Sequence, residues 1–300
     1  MAQQQSLAAK VVAIVVLYYP KRQELEPLLQ QLQQQCAQIV IANNTPEPFI
    51  TEEWLPEPCV PVKCFNFGEN IGIAKAQSIG MAWAFDNAAA DFVLLMDQDS
   101  SIQTDMVQRL LHSYGWLTER SIKVGVIGPQ PVDRDSGKEL SLRLSRRKRI
   151  GNSALFLLRE IISSGMLIPK ATYQNSPAMR DEFFIDFVDF EYCWRLQDAG
   201  FSVVKDTSVL LEHKIGQGRT RMLGLFIFDL SEPIRHYYQF RNLIYLCFKD
   251  GRFNYTILFL IKLLIRQLFI IIGAAESGAR WTFMKRGIKD AMKGSLGKYR

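Results

Sequence analysis

The chain has 300 residues, 48% of them hydrophobic and 22% charged, which excludes a disordered polypeptide and allows one large core, or one core with an appendage. Its five cysteines, Cys36, Cys59, Cys64, Cys193 and Cys247, are scattered and form no C-x-x-C pair, so they read as reduced thiols of a cytosolic protein rather than a zinc or redox motif. The net charge of +6 is uneven: residues 249–300 hold 11 Lys/Arg against 3 Asp/Glu, the rest 25 against 27, and no zinc-finger spacing, RNP-like aromatic motif or basic recognition helix accompanies the basic tail. No nucleic-acid partner is expected.

Val11 to Leu17 follows Lys10 and superficially imitates a signal peptide, but it is short, lacks a small-residue cleavage site and runs into Tyr18-Tyr19-Pro20. A buried first strand over Val11 to Tyr18 is the better reading. Leu25, Leu28, Leu29 and Leu32 then recur at helical spacing, Gln38 to Ala42 reads as a second strand ending in the turn cluster Asn43-Asn44-Thr45-Pro46, and Val60 to Phe65 as a third. Ile71 to Asn87 reads as a helix with small residues that permit close packing, leading into a strand over Phe92 to Met96. Thr104 is positioned to cap a helix holding Met106, Leu110 and Leu111, and Val124 to Ile127 reads as the next strand. Strands alternating with helices predict an α/β, doubly wound, mainly parallel sheet.

The middle of the chain is less regular. Arg143, Arg146, Arg147, Lys148 and Arg149 make a basic loop with three readings: a solvated loop, a lid over a diphosphate, or a patch meeting anionic lipid and a lipid-diphosphate acceptor. Ile161 to Ile168 resumes β character, Asp189 to Ala199 reads as a helix, and Phe201 to Val204 and Val209 to Leu211 as two short strands. Tyr255 to Ile272 is almost wholly apolar, but Lys262 and Arg266 interrupt it one turn apart. A spanning helix would place both cations near mid-bilayer, at about 2.5 to 3.5 kcal/mol each. Lying in the interface avoids this, with the cations snorkelling and Arg280, Lys285, Arg286, Lys289 and Lys293 meeting anionic lipid at about 1 kcal/mol each. A buried helix or a dimer interface is the alternative. The expected division is 1–230 for the sheet domain and 231–300 for a helical, basic, membrane-associating region.

Two carboxylates stand at the carboxyl end of a predicted central strand, in Leu94-Leu95-Met96-Asp97-Gln98-Asp99. With 15 Asp in the chain an isolated D-x-D is unsurprising, and Asp133-Arg134-Asp135 is a second one, whose polar turn needs no function beyond solvation. Position distinguishes the first pair, since open α/β sheets bind ligands at their carboxyl ends. Two hard oxygen donors there suit Mg²⁺ or Mn²⁺ shared with a diphosphate.

The run Val11 to Pro20, then Ile41-Ala42-Asn43-Asn44-Thr45, then Asn70-Ile71-Gly72-Ile73-Ala74-Lys75-Ala76, then Asp97-Gln98-Asp99, in that order and spacing, resembles family 2 glycosyltransferases with the GT-A fold, a Rossmann-like architecture. Ser163-Ser164-Gly165-Met166, Phe184 to Glu191, Glu212-His213-Lys214 and Tyr237 to Asn242 are most similar to its bacterial rhamnosyltransferase branch, so the resemblance covers roughly residues 10 to 245. It implies that Asp97 and Asp99 hold a divalent cation and the donor diphosphate, that His213 is a metal ligand or diphosphate contact, and that Tyr18, Asn43, Asn70 and Lys75 surround the base, ribose or phosphates of a nucleotide sugar. It implies Asp189 as catalytic base, Asp186, Glu191 and Arg195 as supporting residues, and Ser164, Arg241 and Asn242 as acceptor or phosphate contacts. For Asp189 the bland reading is stabilisation of a helix N-terminus, and for Arg241 and Asn242 a structural link between the two regions. One departure from the family is Ala42, where an Asp commonly helps to read the base.

The implied activity is metal-dependent, inverting transfer of L-rhamnose from a dTDP donor to a lipid-linked saccharide or oligosaccharide, as in bacterial O-antigen or capsule assembly, by a protein peripheral on the cytoplasmic face of the membrane. A UDP-sugar donor, as for a galactofuranosyl or N-acetylhexosaminyl transferase, is the alternative within the fold. A non-catalytic nucleotide-binding membrane module is the alternative of another class. A dinucleotide-dependent oxidoreductase is disfavoured, because Leu17-Tyr18-Tyr19-Pro20 stands where G-x-G-x-x-G would follow the first strand.

Overall fold

The structure, a computed structural model, describes residues 9–134, 136–139, 148–213, 219–222, 226–229, 231–273 and 276–300; the side chains of 213, 219–222, 226–229, 266 and 268–273 lie outside that description. Its elements are β1 (Val11–Leu17), α1 (Arg22–Gln35), β2 (Gln38–Asn43), α2 (Thr51–Trp54), β3 (Val62–Asn66), α3 (Ile73–Asp86), β4 (Phe92–Asp97), β5 (Ser101–Ile102), α4 (Met106–Glu119) and β6 (Val124–Asp133). There follow β7 (Lys148–Arg149), β8 (Leu155–Leu158), β9 (Met166–Pro169), α5 (Lys170–Asn175), a 3-10 turn (Asp181–Phe183), α6 (Val188–Asp198), β10 (Ser202–His213), β11 (Arg219–Met222), β12 (Phe226–Asp229), α7 (Arg235–Phe248), α8 (Phe253–Gly273) and α9 (Ser277–Lys293).

One mixed sheet runs in the order β3-β2-β1-β4-β9-β6-β10-β8-β7, and β5 pairs with β10. Its first four strands are parallel, as are β6 and β10, while β9 lies antiparallel between β4 and β6. All seven residues of β1 are buried, as required of a central parallel strand covered on both faces. Val11, Ala13, Val15 and Leu17 pack in one cluster with Leu25, Leu28, Leu29 and Leu32 of α1 and Leu110 of α4, while Val12 and Ile14 pack in another with α3 and α6. Gly80 makes the second approach close, because a Cβ there would collide with the Ile14 side chain.

Several expectations are corrected in detail. The apolar stretch from Ile161 is a strand only from Met166, because Ser163, Ser164 and left-handed Gly165 turn the chain first. Phe201 to Val204 and Val209 to Leu211 are one strand, β10, with a register shift between Asp206 and Leu210. Asp105, not Thr104, occupies the N-cap position of α4, and no side chain caps it. Much of the basic loop, including Arg143, Arg146 and Arg147, lies outside the described residues.

Past residue 231 the chain is helical. α9 lies against α7, with Gly287 so close that a Cβ would meet the Tyr237 carbonyl. α8 buries Thr256, Leu260, Leu263 and Gln267 on one face and leaves Leu258, Ile261, Lys262, Leu264 and Ile265 exposed. That arrangement removes the fully buried alternative for α8. Among the described residues no helix is long and apolar enough to cross a membrane. Arg280 is not a lipid-facing cation: it is buried, donating to the Ser231 carbonyl at 2.6 Å and sitting 2.9 Å from His236 Nε2.

Candidate active site

The pairings Val16 with Asp97, Leu17 with Asn43 and Asn43 with Asn66 bring the carboxyl ends of β1, β2, β3 and β4 level. The Gln98 side-chain amide then ties the D-x-D turn to β1: it accepts from the Tyr18 N–H at 2.8 Å and donates to the Tyr18 carbonyl at 3.0 Å. This leaves the Tyr18 ring exposed at the rim. The middle residue of Asp97-Gln98-Asp99 therefore has a structural task that the sequence pattern did not reveal.

Asn43 is buried, and its amide is occupied within the β2 turn. It accepts from the Thr45 N–H at 3.1 Å and the Thr45 hydroxyl at 2.6 Å, and donates to the Glu47 carbonyl at 2.8 Å and Asn66 Oδ1 at 2.9 Å. In this structure the Asn43 side chain shapes the turn. Asn44 links this turn to the next loop, accepting from the Ile71 N–H at 3.3 Å and donating to the Gly72 carbonyl at 3.4 Å. Asn70 Oδ1 accepts from the Gly72 N–H at 2.9 Å, and Lys75 stands exposed on the first turn of α3. Gly72 has φ 90° and lies against Phe184, whose backbone a Cβ would strike.

A serine pair joins the two acidic segments. Ser164 Oγ accepts from the Asp97 N–H at 3.2 Å and lies 2.7 Å from Ser100 Oγ, while the N–H of adjacent Ser163 donates to Asp189 Oδ2 at 3.2 Å. Asp189 Oδ1 accepts from the Phe190 N–H at 2.9 Å. Burial raises the Asp189 pKa from 3.8 to about 7; these backbone amides act against the rise, and the Asp97 charge adds to it. A carboxylate near that value is about half ionised at neutral pH and basic enough to take a proton. The Asp189 carboxylate thus accepts from an amide at its own helix N-terminus and also feels the charge of Asp97 in the D-x-D.

The supporting acids are paired. Glu191 is fully buried between Arg180, at 3.0 Å, and Arg195, whose guanidinium grips both carboxylate oxygens, one of them at 2.8 Å. Asp186 receives a two-pronged contact from Arg235 at 2.8 and 2.6 Å. Arg241 and Asn242, expected at acceptor or phosphate or as a structural link, are entirely buried and donate to main-chain carbonyls, as a structural link would. Arg134, from the turn read only as solvated, donates to the Asp99 carbonyl at 2.8 Å, and Asp133 beside it is buried. His213 ends β10, one residue past the pairing of Glu212 with Ser101, so its backbone reaches the strand that follows the D-x-D; its side chain, Lys214 and Gly216 to Gly218 lie outside the description.

Among the described residues no group of three or more His, Cys, Asp or Glu side chains converges into a metal cage. Asp97 and Asp99, both partly exposed at a strand end, are a donor set that fits a hard cation completing its shell with diphosphate oxygens and water.

No protein-family model matches the chain. A curated protein of Shigella flexneri, dTDP-rhamnosyl transferase RfbF, is 28% identical over 250 residues, 81% of each chain. Among solved structures, GalNAc-T7 with UDP, GalNAc and Mn²⁺ superposes with a TM-score of 0.56 at 12% identity, over 95% of this chain and 56% of that one. The chain is a glycosyltransferase of the GT-A fold. S. aureus TarS in complex with UDP-GlcNAc is a further neighbour, with a TM-score of 0.49 at 13% identity over 95% of this chain and 73% of that one. The glycosyltransferase spans little more than half the length of the GalNAc-T7 chain, and the shared part is the fold of the GT-A sheet.

The raised Asp189 pKa has a consequence for stability. In metal-free protein the folded state keeps a proton between about 4 and 7 that the unfolded chain has lost, so ionising Asp189 opposes folding as pH rises through that window. Asp189→Asn removes this opposition. Thermal unfolding in EDTA should show the variant gaining on wild type from pH 4 to pH 7 and holding its advantage above; a difference independent of pH would contradict the shift.

Proposed function

We propose that this glycosyltransferase moves L-rhamnose from dTDP-L-rhamnose, with inversion, onto a lipid-linked saccharide at a membrane surface, in the assembly of a bacterial surface polysaccharide. The observation that carries the reading is the placement of Asp189 beside Asp97 through the Ser163-Ser164 turn. Inversion needs one carboxylate to receive the acceptor hydroxyl's proton while that oxygen attacks the anomeric carbon from the face opposite the leaving diphosphate. Asp189 takes the proton, the new C–O bond forms as the bond to the diphosphate oxygen breaks, and the nucleoside diphosphate leaves with that electron pair. Asp97 and Asp99, with His213 as a third proposed ligand, would hold Mg²⁺ or Mn²⁺, whose chemistry when bound is to neutralise charge on the departing diphosphate. Tyr18, Asn70 and Lys75 line the donor side, and Ser164 fixes the turn between donor and base.

The dTDP donor is supported by the likeness to RfbF, which bears that name. The membrane surface is supported by α8 and α9. Leu258, Ile261 and Ile265 form an exposed stripe around Lys262, and α9 exposes Trp281 and Met292 among Lys285, Arg286, Lys289 and Lys293. Apolar side chains amid cations suit the boundary between acyl chains and anionic headgroups, with the protein peripheral on the cytoplasmic leaflet.

Two experiments test this. Given dTDP-rhamnose and UDP-sugars with a lipid-linked acceptor, the wild type should use the dTDP donor and invert its anomeric configuration, and Asp189→Asn should lose about 10²- to 10⁴-fold in kcat with nucleotide binding kept; a UDP preference or an active variant would overturn the donor or the base. Wild type should co-sediment with vesicles containing phosphatidylglycerol and less so after Ile261→Asp with Ile265→Asp; unchanged sedimentation would remove α8 from the membrane.

A further inference from the structure

The chain entering Asp189 follows an unusual course. Phe184, Asp186 and Phe187 all have positive φ, at 65°, 66° and 63°, and none is glycine. Phe184 is the centre of a tight turn in which the Ile185 N–H donates to the Phe183 carbonyl at 2.7 Å. Left-handed residues with side chains are each disfavoured by about 1 to 3 kcal/mol and persist only where surrounding structure over-determines them. Most of the polar contacts that hold it come from one helix. From α7, Asn242 Nδ2 reaches the carbonyls of Phe183, Ile185 and Asp186 at 3.0, 2.9 and 2.8 Å. Its neighbour Arg241 donates to the carbonyls of Phe183 at 2.8 Å and Glu182 at 3.3 Å, and Arg235 grips the Asp186 carboxylate.

The held segment touches both halves of the site. On the donor side the Phe184 carbonyl accepts from the Ala74 N–H at 3.4 Å, and Gly72 is pressed against Phe184. On the other side Phe187 is the N-cap residue of α6, two positions before Asp189. A second layer closes over the first: Arg241 also donates to the Gly297 carbonyl, the Gly297 N–H donates to the Glu182 carbonyl at 2.7 Å, the Tyr299 N–H donates to Tyr238 Oη at 2.9 Å, and Lys298 pairs with Glu69 at 2.8 Å.

We propose that Arg235, Arg241 and Asn242 are positioning residues for the transfer reaction: together they clamp the left-handed segment 183–187 so that Asp189 faces Asp97. The inference rests on Asp189 being the base. It gives the helical region a catalytic task separate from any membrane contact, since a small displacement of a reacting group lowers rate far more than it lowers binding.

The test compares Asn242→Ala and Arg235→Gln with Asp189→Asn. Arg235 is partly exposed at the margin of the clamp, so its variant tests the idea even if the buried Asn242 variant folds poorly. Each clamp variant that unfolds cooperatively should lose about 10- to 100-fold in kcat, while metal-dependent dTDP affinity stays within about twofold of wild type. In the Asp189→Asn background, adding Asn242→Ala should lower the residual rate less than twofold, because the clamp acts through Asp189. A wild-type kcat in folded Arg235→Gln and Asn242→Ala, or losses of kcat and nucleotide affinity in equal measure, would overturn the clamp. An active Asp189→Asn would instead sink the base assignment, so the two failures are distinguishable.

Discussion

Two acidic side chains, one at the end of β4 and one at the start of α6, are held in a single site, and the negative charge of Asp97 opposes ionisation of Asp189. Much of the architecture serves that unfavourable juxtaposition. Sheet register and the Gln98 amide fix the D-x-D turn, the Ser163-Ser164 turn links it to Asp189, and two backbone amides steady the Asp189 carboxylate. A cation shared by Asp97, Asp99 and a diphosphate would relieve the same repulsion. With Asp189 as the proposed base, donor binding and readiness of that base would be electrostatically linked.

The second organising feature is that the base is approached through a strained segment held from outside the sheet. In an open α/β sheet the strand ends supply ligand-binding loops cheaply, but a base facing a donor must come from another layer. Here α6 carries the proposed base, and α7 holds the segment that leads into it. α7 in turn is flanked by α9, which lies close because of Gly287, and by α8, whose outer face is apolar. The helical region thus joins the proposed membrane surface to the segment that carries Asp189.

Much of this was readable from sequence where one physical signal dominated. The continuous apolar runs of β1 and β4 and the leucine spacing of α1 left little choice of element, and the ordered motifs pointed to the GT-A family. The direction of β9 was not readable, because four apolar residues carry no information on polarity of pairing. Nor was the continuity of β10, whose register shift at 206–210 mimics a break. Left-handed Phe184, Asp186 and Phe187 escaped notice because no glycine marks them. Arg280 was misplaced, and the buried partners of Asn43, Arg241 and Asn242 were not readable, for a common reason: amides and guanidiniums serve ligand and buried backbone carbonyls equally well.

The central claim, that Asp97 and Asp99 form a cation-dependent diphosphate site facing Asp189, is tested most directly by calorimetric titration of dTDP and UDP, each with Mn²⁺ and with EDTA, into wild type and Asp99→Ala. The account predicts tight dTDP binding that requires Mn²⁺ and is lost in the variant, with UDP weaker. Binding indifferent to Mn²⁺ and to Asp99, or no binding of either nucleotide, would contradict it.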